Sequence, residues 1–215
     1  MPHKAEVRVP LLKVAVDKAV AAGLVVLACP VLAVTAAAMA ADMAVCPRDR
    51  GGFLYRERRV TGGREFDLLK FRTLRRDVLA EMESAGGHAR TYEADASNLT
   101  WAGRTVLKPW YLDELPQLVN ILRGEMSLVG PRPWPPSMVD DQVARGDHYR
   151  NQVRAGWTGP AQVQKGTPDP VSYAALDRAY VEASRTWKPR RLVRYDLGIL
   201  RQTVRVLLRG EGLKY

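Results

Sequence analysis

LDELPQLVNILRGEMSLVGPRP, residues 112–133, decides how the chain is read. Two adjacent carboxylates, Asp113 and Glu114, stand at what reads as a helix start. Leu115, Leu118, Val119 and Leu122 follow at helical spacing and predict an apolar face. Pro116 suits the first turn, where its missing N–H costs nothing. Gly124 predicts the stop. MSLV then reads as a short strand, and GPRP as a rigid turn carrying Arg132. Singly these are ordinary features. An Asp before an apolar run is commonly an N-cap, and a Glu beside it favours the helix dipole. What sets the stretch apart is the whole string in order.

The 215 residues suit one domain of ordinary size with a real core. A formal net charge of +10 and a pI of about 9.9 point to an anionic partner: nucleic acid, anionic lipid or a phosphorylated substrate. Cys29 and Cys46 form no metal or redox spacing, so a reduced, cytoplasmic setting is the default. No helix-turn-helix, aromatic RNA-binding strand or zinc spacing is present, which argues against nucleic acid.

Ala19 to Ala41 runs without a charge and is long enough to span a bilayer as a helix. Pro30 sits in its middle and predicts a sharp bend. Lys13 and Lys18 precede the segment; Arg48, Arg50, Arg56, Arg58 and Arg59 follow it. Basic flanks on both sides favour a cytoplasmic location for both ends. A helix broken at Pro30 that enters and leaves by one face satisfies that tendency; a kinked single span is the simpler alternative. The expected division is residues 1–46 for the membrane segment and 47–215 for a catalytic region, with no linker between them.

Phe53, Leu54 and Tyr55 are β-prone, and Gly62-Gly63 predicts a hairpin turn. Lys70 and Arg72 follow two apart, a spacing that places both on one face of a strand and suits a diphosphate or headgroup. A solvated basic edge strand fits the same pattern. His88, alone beside glycines, reads as surface. Arg154 to Gly166 reads as a tight loop around Gly156 and Gly159. Val171 to Ser184 reads as a helix with Leu176, Ala179, Tyr180 and Ala183 on one face. Lys188 to Arg209 reads as a basic amphipathic helix suited to an anionic membrane surface.

DELPQL followed by N-x-L-x-GEMSLVGPRP resembles the signature of the bacterial sugar transferases, the monotopic polyprenyl-phosphate phosphoglycosyl transferases. KFRT at residues 70–73, Thr100 and Gly103, and RAGWTGPAQV with Ala155 in place of a usual proline add to the resemblance. The chain departs from the pattern at Cys29-Pro30, where the family has Ser-Pro, and at Lys108 and Asn98, where arginine is frequent. It begins almost at the re-entrant segment and so looks like a minimal, single-domain form.

The resemblance implies an α+β, mainly helical fold: a re-entrant membrane helix broken at Pro30, a small β-hairpin, and amphipathic surface helices around a compact catalytic domain. It implies transfer of a phosphosugar from a UDP-sugar to a polyprenyl phosphate at the cytoplasmic face of the bacterial inner membrane, initiating exopolysaccharide or glycoconjugate synthesis. By position, Asp113 would be the nucleophile and Glu114 would help hold Mg²⁺. Lys70, Arg72, Lys108 and Arg132 would clamp phosphate, and Gln162 would contact substrate.

Those residue types suit that chemistry. A carboxylate can accept a phosphoryl group, but a diphosphate repels it, so cations must offset the charge. Two alternatives share the sequence: a membrane-anchored basic binding module without catalysis, and direct glycosyl transfer to lipid with Asp113 as base. No sugar-reading motif is recognisable.

Overall fold

The structure, a computed structural model, describes residues 7–164 and 172–208. It is α+β and mainly helical, as expected. Helix α1 (Leu11–Val45) leads into strands β1 (Leu54–Thr61) and β2 (Arg64–Phe71). Helices α2 (Arg76–Ser84) and α3 (Ala89–Glu93) follow, then a π-helical turn at Gly103–Leu107 and a 3₁₀ turn at Leu112–Glu114. Helix α4 (Gln117–Arg123), strand β3 (Ser127–Val129), helix α5 (Pro136–Ala144) and strand β4 (Gly156–Thr158) come next. Helices α6 (Tyr173–Thr186) and α7 (Pro189–Leu208) close the described chain.

Helix α1 has 35 residues and is long and apolar enough to cross a membrane. Only 11% of its most apolar window is buried inside the chain, unlike a core helix. Its helical run continues through Pro30, so the expected break takes the form of a proline inside a continuous helix. The ring removes one N–H and crowds the preceding turn, but its fixed φ is itself helical. Cys29 adds a back-bond, its Sγ lying 3.3 Å from the Val25 carbonyl oxygen.

Contacts group the chain into two compact units that do not follow a boundary at residue 46. One comprises Met1–Gly23, Arg58–Leu68 and Leu118–Tyr215; the other comprises Leu24–Glu57 and Leu69–Gln117. In the first unit, β3 and β4 pair in parallel, Ser127 opposite Gly156 and Val129 opposite Thr158. This strand pair replaces the expected loop at Gly156. A Cβ on Gly156 would lie 2.0 Å from the Gly130 nitrogen, so the two chains approach only because this residue has no side chain. Asp17 accepts a 2.5 Å hydrogen bond from Ser127 Oγ, and Lys13 Nζ lies 2.6 Å from Asp196 on α7.

In the second unit, Leu74, Val78, Met82 and Ala89 form one buried cluster. Met39, Ala102 and Leu107 form another, with Met43, Phe71 and Leu112 packed against it. The Asp42 carboxylate accepts a 3.0 Å hydrogen bond from the Ala102 N–H.

The turn at Gly62-Gly63 forms as predicted, with φ of 53° and 76°. Two successive positive-φ residues match the twist of the strands they join. Gly124, at φ 80°, ends α4. Two helix expectations shift. The residue pair Asp113-Glu114 lies in the 3₁₀ turn, and α4 begins only at Gln117, directly after Pro116. On α6 the buried positions are Asp177, Tyr180, Val181 and Ala183, while Ala179 is exposed. Gly166, Val171 and Arg209, the ends of three expected segments, lie outside the described residues.

Candidate active site

The acidic pair is held by a run of non-standard turns. Gly103 opens the π-helical turn; a Cβ there would meet the Thr73 carbonyl oxygen at 2.5 Å. Tyr111 then adopts a left-handed conformation, φ 53°, which bulky residues rarely accept. The 3₁₀ turn follows and turns Asp113 inward, where it is 3% exposed.

Lys108 Nζ lies 3.6 Å from Asp113 Oδ2 and 2.8 Å from Glu93 Oε2. The other Glu93 oxygen accepts a 2.6 Å hydrogen bond from Thr73 Oγ1. Burial pushes the Asp113 carboxyl up to about 6; Lys108 opposes this, Glu114 adds to it, Lys70 opposes it, and Glu93 adds to it. The site therefore holds an aspartate that is desolvated and only partly compensated by cations. Such a group is poised near neutrality and reactive toward an electrophile that brings its own counter-cation.

Lys70 is largely buried and pairs with Glu57 at 3.1 Å. Arg72 is arranged differently from the expected strand face. Strand β2 ends at Phe71, and the buried Arg72 guanidinium donates to three backbone carbonyls: Gly52 at 3.1 Å, Leu74 at 3.0 Å and Asp49 at 2.5 Å. Burial lowers its pKa, with Asp49 acting in the opposite direction. Those bonds tie it to the loop before β1 and the start of the chain leading to α2.

Asp113, Glu114, Lys70, Arg72 and Lys108 all belong to the second compact unit; Arg132 and Gln162 belong to the first. Arg132 is exposed, and its carbonyl accepts a 2.8 Å hydrogen bond from Arg150. Arg150 in turn pairs with buried Asp177 at 2.8 Å and lies 3.8 Å over the Trp134 ring, which fixes the Pro-Arg-Pro turn from below. Gln162 has both amide atoms buried with no hydrogen-bond partner among the described residues, and its Oε1 lies 2.8 Å from where a Cβ on Gly159 would stand. Cys29 is exposed on α1 beside Pro30. Exposed His88 takes no part.

Glu93 and Thr73 are the site residues that sequence reasoning did not single out. Glu93 sits in a polar stretch of mixed charge with no motif. Thr73, the last residue of KFRT, was the available signal.

Among the described residues no three His, Cys, Asp or Glu side chains converge on a metal position. The donor set is the two hard carboxylates of Asp113 and Glu114. That set fits Mg²⁺, which commonly takes one or two carboxylates and completes its shell with phosphate oxygens and water.

The chain is 36% identical over 215 residues to the UDP-glucose:undecaprenyl-phosphate glucose-1-phosphate transferase of Caulobacter vibrioides, covering 96% of this chain and 73% of that protein. It is 35% identical over 180 residues to the undecaprenyl-phosphate galactose phosphotransferase of Salmonella typhimurium, covering 77% of this chain and 35% of that one. It is 40% identical over 150 residues to the exopolysaccharide production protein ExoY of Sinorhizobium fredii, covering 62% and 63%. Against its longer relatives the chain spans little more than a third of their length. Residues 8–210 match the family described as bacterial sugar transferase, and to that family the chain belongs.

Proposed function

We propose that the chain transfers a sugar phosphate from a UDP-sugar to a polyprenyl phosphate through an ester on Asp113. The observation that carries this reading is the buried Asp113 carboxylate, poised near pH 6 beside Lys108. In the first step an Asp113 oxygen attacks the β-phosphorus. The bond from that phosphorus to the bridging oxygen breaks, and UMP leaves with the oxygen and the electron pair. In the second step a phosphate oxygen of the lipid attacks the same phosphorus, and the Asp113 carboxylate departs. One phosphoanhydride is lost and one is made, so little net energy is needed.

Lys108 is placed to offset the charge that builds on the phosphoryl oxygens. Lys70, held by Glu57, is assigned to supply a further cation for the diphosphate, and Arg132 is assigned to phosphate by its place in the GPRP motif alone. Gln162, whose buried amide has no partner among the described residues, is assigned to substrate contact by its place in the motif. We assign Arg72 to holding the loop at Asp49–Gly52 rather than to phosphate, since its donors already serve three carbonyls. Glu114 would help hold Mg²⁺, which would neutralise phosphate charge.

The membrane placement follows from the same chain. Lys13 and Asp17, near the start of α1, bond to Asp196 and Ser127; Asp42, near its end, accepts from Ala102. Basic residues on both flanks of the apolar run favour the cytoplasmic face for the catalytic region. The exposed Leu197, Val204 and Leu208 of α7 alternate with exposed arginines and suit an anionic lipid surface.

The nucleotide released during turnover with lipid acceptor tests the reaction class. UMP is expected. UDP would assign direct glycosyl transfer with Asp113 as base, and turnover of no UDP-sugar would leave a binding module.

A further inference from the structure

We propose that Trp101 and Trp110 are interfacial anchors that seat the Asp113-bearing stretch in the headgroup layer of a phospholipid bilayer. Both indoles are exposed, 51% and 73%, although Ala102, Gly103 and Leu107 between them are buried. The uncharged run of α1 ends at Ala41, and Asp42 is the first charge after it. In a membrane, that residue marks where the helix leaves hydrocarbon.

The stretch from 102 to 112 is tied to this turn of the helix. The Ala102 amide bonds to the Asp42 carboxylate at 3.0 Å. Ala102 and Leu107 pack with Met39, and Leu112 and Met43 pack against the same cluster. Trp101 directly precedes the first of these contacts, and Trp110 lies between Leu107 and Leu112. Two exposed indoles are thereby held at the depth where α1 emerges. Indole has an apolar body and one N–H donor, which is why it partitions to the headgroup level. Exposed Arg48, Arg50 and Arg104 accompany the pair and complement lipid phosphate. The remaining tryptophans, Trp134, Trp157 and Trp187, are half-buried in the other unit.

The inference rests on the membrane-bound reading above, and the test separates the two. The full-length protein is reconstituted in phosphatidylethanolamine–phosphatidylglycerol vesicles carrying bromine either near the glycerol backbone or near the chain ends. Flotation first reports whether the protein stays with lipid; failure of the wild type to float would overturn the membrane reading and this one with it. With flotation intact, the shallow bromines are expected to quench tryptophan emission more than the deep ones. W101F and W110F are each expected to lose part of that quenching, and the double variant at least half. Unchanged quenching in the floating double variant would overturn this assignment alone. So would stronger quenching by the deep bromines, or protection of both indoles by UDP-glucose rather than by lipid.

Discussion

Lys108 lies 3.6 Å from Asp113, near enough to attract its carboxylate and too far for a tight ion pair. The same ammonium is 2.8 Å from Glu93. One cation is shared between two buried carboxylates, and Asp113 receives the smaller share. Burial raises the Asp113 carboxyl to about 6, and the shared Lys108 only partly offsets it.

A stability effect follows with a definite sign. A carboxyl raised from 3.8 to about 6 binds its proton more tightly in the folded state. Its contribution to stability is full below about pH 4 and is lost as pH rises through 6. Asp113→Asn, expected to abolish transfer, should therefore stabilise the fold by about 1–3 kcal/mol at pH 8, by linkage, and much less at pH 4. Thermal melts at the two pH values measure the difference.

Activity should rise with pH along an acid limb near 6, where Asp113 ionises, and added Mg²⁺ should move that limb downward. Glu93→Gln removes a negative neighbour and releases Lys108 toward Asp113, while still accepting from Thr73. Its acid limb should lie below the wild type's. Lys108→Met should shift it upward and lower kcat/KM by about 10²-fold or more, the size expected for a lost phosphate-stabilising cation. Profiles of kcat/KM against pH distinguish these outcomes.

Arg150 braces the turn bearing Arg132 and neutralises buried Asp177, whose carboxyl burial raises to about 6. Arg150→Ala should cost about 3–5 kcal/mol, because it strands a buried charge. Arg150→Lys should recover only part of this, having neither the fork that reaches Asp177 and the Arg132 carbonyl together nor the flat face over Trp134. Denaturant unfolding at pH 8 reads the series.

The parallel pair β3–β4 depends on a missing side chain. Gly156→Ala would set a Cβ 2.0 Å from the Gly130 backbone, so loss of soluble expression or of several °C in Tm is expected. Gly198→Ala on α7 meets nothing within 4 Å and should be neutral or stabilising by about 0.5–1 kcal/mol. Melting the two variants side by side checks the contrast.

Local chemistry made some elements legible and tertiary contact hid others. Gly62-Gly63 announces its hairpin because a two-residue turn needs positive φ at both positions. Asp113 and Glu114 stand out because the string around them is so particular. Strand β4 was hidden because its β-prone Trp157 and Thr158 stand between two glycines in a segment of only three residues, and its pairing depends on the close approach of Gly130 to Gly156. Arg72 read as a strand-face cation because alternation assigns faces but not strand ends, and β2 stops one residue short of it. Glu93 gave no local signal: its importance arises only when the chain brings it to Lys108 and Thr73.

The most direct measurement incubates purified protein with a UDP-sugar labelled in the sugar and Mg²⁺, without lipid acceptor, then maps the label by mass spectrometry. One equivalent of UMP should appear, with the sugar phosphate on the peptide containing Asp113 and none in Asp113→Asn. A protein that releases UMP only when polyprenyl phosphate is present, and never carries the label, would contradict an ester on Asp113.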